Sequence, residues 1–564
     1  MCPEKRGNNA GRRSNPSADD VTSAGCSGDW PDLVQASERR RSFRAKAYRR
    51  AVWSLDDLDP GLEMAAGLIL ATHGIGPGVA GLIEEYKDTG GLSRLDALEA
   101  EFPRETSKLR RLPRMTPAIL RELRQGLGVE TTSDLLASIE SGAAESVRGV
   151  GETTLRLWEA VLRLAPRSGQ IPALAAWVTA SELSTHIGRH VGARVGVSGA
   201  VRRVDEWVEN LDLVVVTKEE QQLGEFLATT AVLESLERVA AHRFRGQSHV
   251  GVGVTVHAAS ARAAGSTLIR VTGPPDHASA LAGSGPFPTE EDAYRSKGYP
   301  WIPAPARGLT IEDARRVVRV EDLRGDLHVH TEDSPDGRMP LEVVFQAALE
   351  RGYTYLLVSD HTEGLRFGGL GAAGLEEQSQ KINELRARFP DLAVFHGAEV
   401  NIGLDGKLDL DDLTLSKLDF TVAGVHSNFH LARKEQTARL IEGLRQPSVR
   451  VLAHPTGRRI GIRPPVDVDI EDVVAEAIIS GVALECNGHR DRLDLPPDWV
   501  AHAAAGGAVF AANSDAHRIG ELRNIENAVA TLQRAGVTPR QVINTFDLGE
   551  FTEWLGESSG RSRA

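Results

Sequence analysis

Residues 326–330 read DLHVH, a strand pattern that sets His328 and His330 two positions apart. Side chains two positions apart on a strand point to the same face, so both imidazoles are expected on one side. Six further apolar runs follow along the chain: YTYLLVSDH, LAVFHGAEV, LDFTVAGVH, VRVLAHP, VALECNG and AVFAANSDAH. Helical stretches separate these runs, an alternation that is typical of parallel β/α units. Seven such units from residue 323 onward predict a closed barrel.

Six of the seven predicted strands end in a histidine or a carboxylate, which places these side chains where β/α barrels carry their active sites. With one aspartate from the loop after the first strand, the candidate metal ligands are His328, His330, Asp336, His361, Glu399, His426, His454, Asp515 and His517. Imidazoles and carboxylates suit Zn²⁺, Mn²⁺ or iron, and the set is large enough for three ions. Clustered divalent ions activate water and neutralise a phosphoryl group. The barrel is therefore predicted to be a metal-dependent phosphoester hydrolase.

From Gly325 to about Asn527 this pattern resembles the polymerase and histidinol phosphatase (PHP) domain, a distorted (β/α)7 barrel whose members hydrolyse phosphomonoesters or phosphodiesters. By that resemblance, one catalytic metal ion is held by His328, His330, Glu399 and Asp515. Glu399 would bridge to a second ion on His426 and His454. A third ion would be held by Asp336, His361 and His517.

Other polar residues near the strand ends have more ordinary explanations. Glu485 and Asn487 end the sixth strand, where we expect them to support the ligands rather than bind metal. His396 lies inside a strand and is expected to pack or to hydrogen-bond. Arg366 and Arg458 follow strand ends and are candidates for binding phosphate, although each is equally explained as a solvated loop arginine.

The helical region at residues 39–165 follows a Gly- and Ser-rich segment, 1–38, that is predicted to be disordered. THGIGPGVAGLIEEY has the form of a helix-hairpin-helix, with Gly74, Gly76 and Gly78 in its turn. VRGVGETTLRLWEAV repeats the form with Gly149 and Gly151. Such turns leave backbone N–H groups at a helix N-terminus for a DNA phosphate. A plain connector between helices is the alternative.

The order of parts resembles that of bacterial and archaeal family X DNA polymerases over most of residues 42–530. SFRAKAYRRAVWSL and the two hairpins come first. A nucleotidyltransferase-like α+β part with an antiparallel sheet follows at 166–305, and a linker follows at 306–322. The barrel then occupies 323–545 and a tail 546–564. The middle hairpin of that family is degenerate here and reads RMTPAILREL.

The middle part departs from that family at its catalytic carboxylates. Family members hold two Mg²⁺ ions with a DxD pair and a third aspartate, but here NLDL places Asn210 at the first position and keeps only Asp212. His257 stands at the third position. An amide lacks the charge that Mg²⁺ requires, so Mg²⁺ is expected to bind poorly and polymerase activity to be lost. Arg202 and Arg203 in VSGAVRR are expected to grip DNA.

Composition limits the remaining choices. The net charge of −13 does not itself indicate a nucleic-acid binder, although a small basic surface is enough to bind phosphates. Three scattered cysteines and the lack of a long apolar run predict a cytoplasmic protein without membrane contact, with a monomer favoured. We expect gapped or damaged DNA as the partner. An active family X polymerase and a histidinol-phosphatase-like enzyme for small molecules are the alternatives.

Overall fold

The computed structural model describes residues 75–89, 109, 112, 115–151, 154, 155, 158, 162, 170–230, 233–248, 252–281, 285–365 and 368–561. The chain divides into two compact units, Met1–Leu164 and Ala165–Ala564. The predictions for residues 1–38, Gly74 and Arg366 lie outside the described residues. Among the described helices, none combines the length and the apolar character needed to cross a membrane.

The regular secondary structure described in the first unit is helical, and short turns separate its helices. Its longer helices are α1 (Pro77–Thr89), α2 (Pro117–Leu127) and α3 (Thr132–Glu140). Thr116 starts α2 by accepting a hydrogen bond from the Ile119 amide at 3.2 Å, which satisfies one of the N–H groups that a helix N-terminus leaves unpaired. Leu123, Leu135 and Trp158 are fully buried and anchor the core of this unit.

The second unit begins with a mixed sheet. Its strands are β1 (Ile171–Pro172), β2 (Arg194–Ser198), β3 (Trp207–Val208), β4 (Asn210–Val216), β5 (Leu233–Ala240), β6 (Arg243–Ser248) and β7 (Gly253–Ala259). Five of them form a sheet in the order β2-β4-β7-β6-β5, in which β4 and β7 are parallel and the other neighbours antiparallel. The accompanying helices are α4 (Ala173–Val191), α5 (Gly199–Arg202), α6 (Glu220–Thr229), α7 (Ala264–Thr272), α8 (Pro275–Leu281), α9 (Glu290–Ser296) and α10 (Ile311–Ala314).

The rest of the second unit is a parallel barrel. Its strands are β8 (Gly325–Val329), β9 (Tyr355–Val358), β10 (Ala393–Asn401), β11 (Phe420–Gly424), β12 (Val449–Leu452), β13 (Ala483–Asn487) and β14 (Phe510–Asn513), which pair in chain order. The helices are α11 (Leu341–Glu350), α12 (Ala372–Arg386), α13 (Asp412–Leu415), α14 (Arg433–Leu444), α15 (Ile470–Ser480), α16 (Pro497–Ala505), α17 (Ile525–Arg534) and α18 (Leu548–Arg561). The strands are buried almost throughout, because parallel strands in such folds are covered on both faces.

The segments that follow the first and last barrel strands meet at the rim where the ligand candidates lie. The amide of His330 donates to the Ala516 carbonyl at 2.9 Å, and the amide of Asp515 donates to the His328 carbonyl at 3.1 Å. Lower down, the Asn513 side chain accepts from the Leu327 amide at 3.2 Å. These bonds nearly close the barrel and fix two ligand-bearing segments against each other.

Two segments predicted as a linker and a tail pack into the core. Within 306–322, Ala314, Val317 and Val318 are buried, because the apolar side chains of this stretch face the neighbouring helices and barrel. At the other end of the barrel chain, Phe551 of α18 is fully buried and stacks on Tyr355, the first residue of β9, with ring centroids 4.6 Å apart. Helix α18 therefore covers the barrel end opposite the predicted ligands.

The middle part contacts the barrel through a short acidic segment. The Arg534 guanidinium at the end of α17 lies 2.5 Å from the Asp205 carboxylate. Arg458, in a loop of the barrel rim, donates to Glu206 at 2.8 Å. Trp207 packs beside these ion pairs in a small apolar cluster with Ala173, Ile460 and Leu493. The contact made by Arg458 therefore joins the two parts next to the ligand-bearing rim.

Candidate metal centre

Glu399 lies at the centre of the predicted ligands because β10 runs between β9 and β11 in the barrel. Its Oε1 atom lies 2.9 Å from His426 Nε2 and 2.8 Å from His454 Nε2. Its Oε2 atom lies 2.7 Å from His361 Nδ1 and 3.4 Å from His328 Nε2. One carboxylate thus touches histidines from four other strand ends, the arrangement that a bridging ligand needs.

Asp515 and Asp336 complete the cluster on either side. Asp515 Oδ1 lies 3.6 Å from His328 Nε2 and 3.4 Å from His330 Nε2. Asp336 Oδ2 lies 3.5 Å from His517 Nε2, and it lies 3.7 Å from the Nε2 of His361. All of the sequence-predicted ligands are therefore brought together at one rim. Ligand atoms close enough to share an ion form three groups: His328–His330–Asp515, His330–His361–His517 and His361–Glu399–His426.

The position of His361 differs in one respect from the assignment that the resemblance implies. That assignment gives His361 to a third ion with Asp336 and His517. In the structure its Nε2 faces Asp336, while its Nδ1 lies against Glu399. The ring therefore stands between two groups of ligand atoms, because the segment after β9 bridges directly to Glu399 of β10.

Buried polar atoms show that divalent ions suit this centre. His328 Nε2 and His330 Nε2 are buried, and no residue among those described gives either of them a hydrogen bond. Buried polar atoms normally have partners, since leaving one unpaired costs about 1–3 kcal/mol. Imidazole nitrogens and carboxylate oxygens are preferred ligands of first-row divalent metals. The chemistry of the ligand atoms and the lack of hydrogen-bond partners for some of them therefore both fit bound metal ions.

The charged state of the two inner carboxylates also favours cations. Burial alone would raise the pKa of the Glu399 carboxyl, but the imidazoles of His361 and His426 hold that pKa well below its usual range. Burial likewise opposes ionisation of Asp515, and the nearby His328 ring holds its pKa well below the ordinary value. Both carboxylates are therefore negative at neutral pH, the form that binds metal.

Two of the imidazoles are held in the neutral form that metal binding requires. Burial, with the positive field of His517, lowers the pKa of His330 well below its ordinary value. Burial and the nearby Arg492 guanidinium lower the pKa of His454 to about 4. A neutral imidazole keeps a lone pair for a metal ion, so these two rings need lose no proton when an ion binds near neutral pH.

Glu485 and Asn487 of β13 hold the ligands from behind. Glu485 Oε1 lies 2.7 Å from His328 Nδ1, and Oε2 accepts from the His454 amide at 2.6 Å. Asn487 donates to Asp515 Oδ2 at 2.9 Å. A carboxylate on the far nitrogen of a histidine fixes the tautomer that presents the other nitrogen to a metal. These contacts suit the supporting role expected of both residues.

Replacement of Glu485 by glutamine is expected to weaken metal binding or hydrolysis by about 10- to 100-fold, the usual cost of losing an outer-sphere partner of a ligand. Glutamine keeps the shape but cannot hold the His328 Nδ1 proton with a negative charge. Metal titration followed by activity measures the effect, and retention of wild-type metal affinity would contradict the assignment.

Comparison with known proteins gives this geometry a family. Residues 326–489 match the family model of the PHP domain. The barrel is a PHP domain. The resemblance predicted from the sequence is confirmed along the chain, because the DNA polymerase/3′-5′ exonuclease PolX of Bacillus subtilis is 27% identical over 551 residues, which cover 91% of this chain and 95% of that protein.

Other relatives match only the PHP domain and its surroundings. A protein named probable phosphatase from Syntrophotalea carbinolica is 26% identical over 231 residues, 39% of this chain and 90% of that protein. Another so named, from Shigella dysenteriae, is 23% identical over 233 residues, 39% of this chain and 89% of that protein. The predicted fold class and the predicted enzyme class, a metal-dependent phosphoester hydrolase, are confirmed for the PHP domain.

The arginines around the PHP centre are placed differently from the prediction. Arg458 is buried, and its donors reach Glu206, the Arg492 carbonyl and the Leu493 carbonyl rather than open space. Arg492 was not predicted from the sequence, yet its Nε lies 3.4 Å from Asp515 Oδ2. Its only sequence signal is its position in the loop after the sixth strand, CNGHRDRLD. His396 lies as expected in a hydrogen-bonded place, 3.2 Å from Gln378 Oε1.

The altered carboxylate positions of the middle part lie together on the β4–β7 pair. Asn210 is opposite Gly253 and Asp212 opposite Thr255 in the parallel register. His257 Nε2 lies 3.5 Å from Asp212 Oδ1, so the third family position is close to the one remaining carboxylate. The Asn210 amide oxygen accepts a hydrogen bond from Thr255 at 3.2 Å. This face of the sheet thus presents an amide, one carboxylate and an imidazole.

Arg202 and Arg203 are both engaged inside the protein. Arg202 makes a two-pronged ion pair with Glu290 at 2.8 and 2.7 Å. Arg203 lies 2.5 Å from Asp205 and donates to the Thr272 carbonyl. The two guanidiniums are about a quarter exposed, with side-chain values of 26% and 28%. The structure therefore gives both arginines a structural role at the base of the middle part.

The glycines of the predicted hairpins lie at helix starts where they are described. Gly76 comes just before α1, and Gly78 is in its first turn. Gly149 has φ of +87°, a left-handed conformation that glycine adopts without strain, and Gly151 follows in the same turn. Among the described residues, a methyl group added at Gly76, Gly78 or Gly151 would meet no atom within 4 Å, and one added at Gly149 would meet Ile119 at 3.9 Å.

Proposed function

We propose that this protein is a DNA-repair nuclease whose PHP domain cleaves phosphoester bonds at the ends of gapped or damaged DNA. The expected reaction is 3′→5′ exonucleolytic cleavage, cleavage at abasic sites, or removal of blocking groups from 3′ ends. The observation that carries the proposal is a full ligand set, centred on Glu399, in a chain similar throughout to PolX. The middle part contributes support for that PHP domain and does not polymerise.

Different residues of the PHP centre are proposed to have different roles in hydrolysis. The ligand cluster around Glu399 and Asp515 would hold the metal ions, which supply Lewis-acid activation of water and charge neutralisation when bound. Glu485 orients His328 and the His454 segment, so the ligands are fixed before substrate arrives. Deep burial of His328 and His330 keeps bulk water from their ring nitrogens. The more exposed Asp336 and His517 mark the side from which a DNA end would enter.

The charge on β4 and β7 is the reason to expect loss of polymerisation. Nucleotidyl transfer needs two Mg²⁺ ions between carboxylates and the triphosphate. Asn210 contributes no charge, and the imidazole of His257 adds none that attracts a cation. Asp212 alone is too little negative charge to hold the two Mg²⁺ ions that would neutralise the triphosphate. The glycines of the first unit are proposed to bind DNA phosphates through their backbone amides.

The test follows a 5′-labelled primer in one-nucleotide-gap DNA with Mn²⁺ and all four dNTPs. The wild-type chain is expected to shorten the primer, whereas the double variant His328→Ala, Asp515→Asn leaves it unchanged because two inner ligands are gone. The matched control is His502→Ala, an exposed histidine on α16 away from the centre. Its activity is expected to equal the wild type.

Two other outcomes would replace the proposal. Lengthened primers would mean that the middle part still polymerises, so the alternative of an active family X polymerase would hold. Unchanged primers together with turnover of histidinol phosphate would support a small-molecule phosphatase, the alternative favoured by relatives named as phosphatases that match only this region. In the proposed role the protein acts in the cytoplasm as a monomer.

A further inference from the structure

Arg492 is a guanidinium at the edge of the PHP centre. Its Nε lies 3.4 Å from Asp515 Oδ2, and its side chain is 20% exposed. Within the part of the chain that the structure describes, no residue accepts a hydrogen bond from either of its Nη groups. The Nε edge of the guanidinium therefore contacts Asp515, while the Nη groups remain able to donate hydrogen bonds to a ligand.

The neighbouring arginines bind other groups of the protein. Arg458 donates to Glu206 and to two backbone carbonyls. Arg459 pairs with Asp491, its Nε 2.6 Å from the carboxylate. Arg463 donates from Nε to the Gly457 carbonyl and lies over the Phe429 ring, 3.7 Å from its centroid. Among the arginines described in this loop region, Arg492 is thus the one placed to contact a ligand at the centre.

The backbone of Arg492 is held firmly, which an accurate ligand contact requires. Its amide donates to the His489 carbonyl at 2.8 Å, and its carbonyl accepts from Arg458 Nε at 2.9 Å. Arg458 is itself anchored by Glu206 of the middle part. The loop that presents Arg492 is therefore fixed from both domains, so little order must be gained when a ligand binds.

Charge explains why an anion belongs beside this residue. A guanidinium cannot lose its proton in a protein, and divalent ions on Glu399 and Asp515 would repel it. Four carboxylates act on Arg492 with their negative charge, namely Asp515, Asp491, Glu399 and Asp494, and bound ions would neutralise Asp515 and Glu399. A phosphoryl group placed between the metal ions and Arg492 removes this repulsion, and its oxygens match the forked donors of the guanidinium.

We propose that Arg492 binds the phosphoryl group that the PHP domain hydrolyses. The proposal rests on the proposed function as far as phosphoester hydrolysis is concerned, but it does not depend on DNA as the substrate. Arg492 takes the place that the sequence assigned to Arg458. It contacts two non-bridging oxygens and opposes the negative charge that grows on them during cleavage.

The test compares Arg492→Ala and Arg492→Lys with the wild-type full chain on the gapped DNA and on the p-nitrophenyl ester of thymidine 5′-monophosphate. The alanine variant is expected to lose about 100-fold in kcat/KM, the usual cost of removing one donor to a developing negative charge. The lysine variant should lie between, since an ammonium keeps the charge but not the fork. Inhibition by inorganic phosphate is expected to weaken by about tenfold or more in the alanine variant.

Controls separate binding of phosphate from mere support of the centre. Metal content, measured by mass spectrometry of the purified chain, is expected to equal the wild type, and guanidinium ion in solution should restore part of the alanine variant's rate. Arg490→Ala is the matched control, because Arg490 stands two residues earlier and lies over Trp177 instead, 4.9 Å from the ring centroid. It should leave phosphate inhibition unchanged.

Two results would overturn the role of Arg492 and leave the nuclease standing: unchanged kcat/KM and phosphate inhibition in Arg492→Ala, or loss of metal in step with activity. A wild-type chain that ignores DNA but cleaves the nucleotide ester with full dependence on Arg492 would instead support Arg492 and defeat the DNA proposal.

Discussion

Exchange of Glu399 for glutamine is expected to lower phosphoester hydrolysis by at least about 1000-fold, well beyond the roughly 10- to 100-fold cost of losing an outer-sphere partner. Both oxygens of Glu399 are shared, Oε1 with His426 and His454 and Oε2 with His361. Glutamine keeps the volume but removes the charge, and its NH₂ group cannot bind a metal. More than one ion should therefore be lost, and the rate on the nucleotide ester should fall with the metal content.

The control for this change is another buried glutamate. Glu476 on α15 is buried and pairs with Arg445 at 2.8 Å, away from the PHP centre. Glu476→Gln is expected to retain the wild-type metal content and rate. If Glu399→Gln kept its full complement of metal ions, Glu399 would not be the bridging ligand, and the three groups of ligand atoms would have to bind their ions independently.

Replacing Glu290 by alanine is expected to destabilise the second unit by about 3–5 kcal/mol, the cost of leaving a buried charge without its partner. Arg307 has a fully buried side chain whose Nη2 lies 2.9 Å from Glu290, and the same carboxylate holds Arg202. Trp301 adds an indole hydrogen bond at 3.2 Å. Calorimetry on the full chain measures the effect as a lower Tm for the transition of this unit.

The comparison for Glu290 is an exposed ion pair in the following segment. Glu312 on α10 pairs with Arg315 and Arg316, and all three side chains are half exposed or more. Glu312→Ala should cost about 0–1 kcal/mol, since solvent screens such pairs. Equal Tm shifts for the two variants would show that the Glu290 network contributes no more than a surface pair. The contrast separates burial from the mere count of ion pairs.

The clustering of the candidate ligands could be predicted because their signal is local and repeated. His328 and His330 stand at the end of an apolar run, and Asp515 and His517 repeat that spacing after the last one. Parallel strands bring their carboxyl ends to one rim, so position along each strand is enough to group the side chains. The alternation of apolar runs likewise predicted the barrel, since strands covered on both faces leave few polar positions.

What the sequence could not reveal depends on partners far away along the chain. Arg458 resembled a phosphate ligand, but its partner Glu206 is 252 residues distant. Arg492 had no signal beyond its place in the loop after the sixth strand, because its role depends on Asp515 at the end of the neighbouring strand. Phe551 has the sequence context of a tail, yet its ring lies on that of Tyr355. Sequence periodicity reports which face is buried, and it does not report what covers that face.

The paired carboxylates of Asp205 and Glu206 have a consequence for how the barrel can be prepared by itself. Asp205 pairs with Arg534 at the end of α17, and Glu206 pairs with Arg458 in the loop after β12. A fragment cut before the barrel would therefore present two guanidiniums without their counter-charges. A fragment that begins at β1 keeps both ion pairs, so it is the better starting point for work on the barrel.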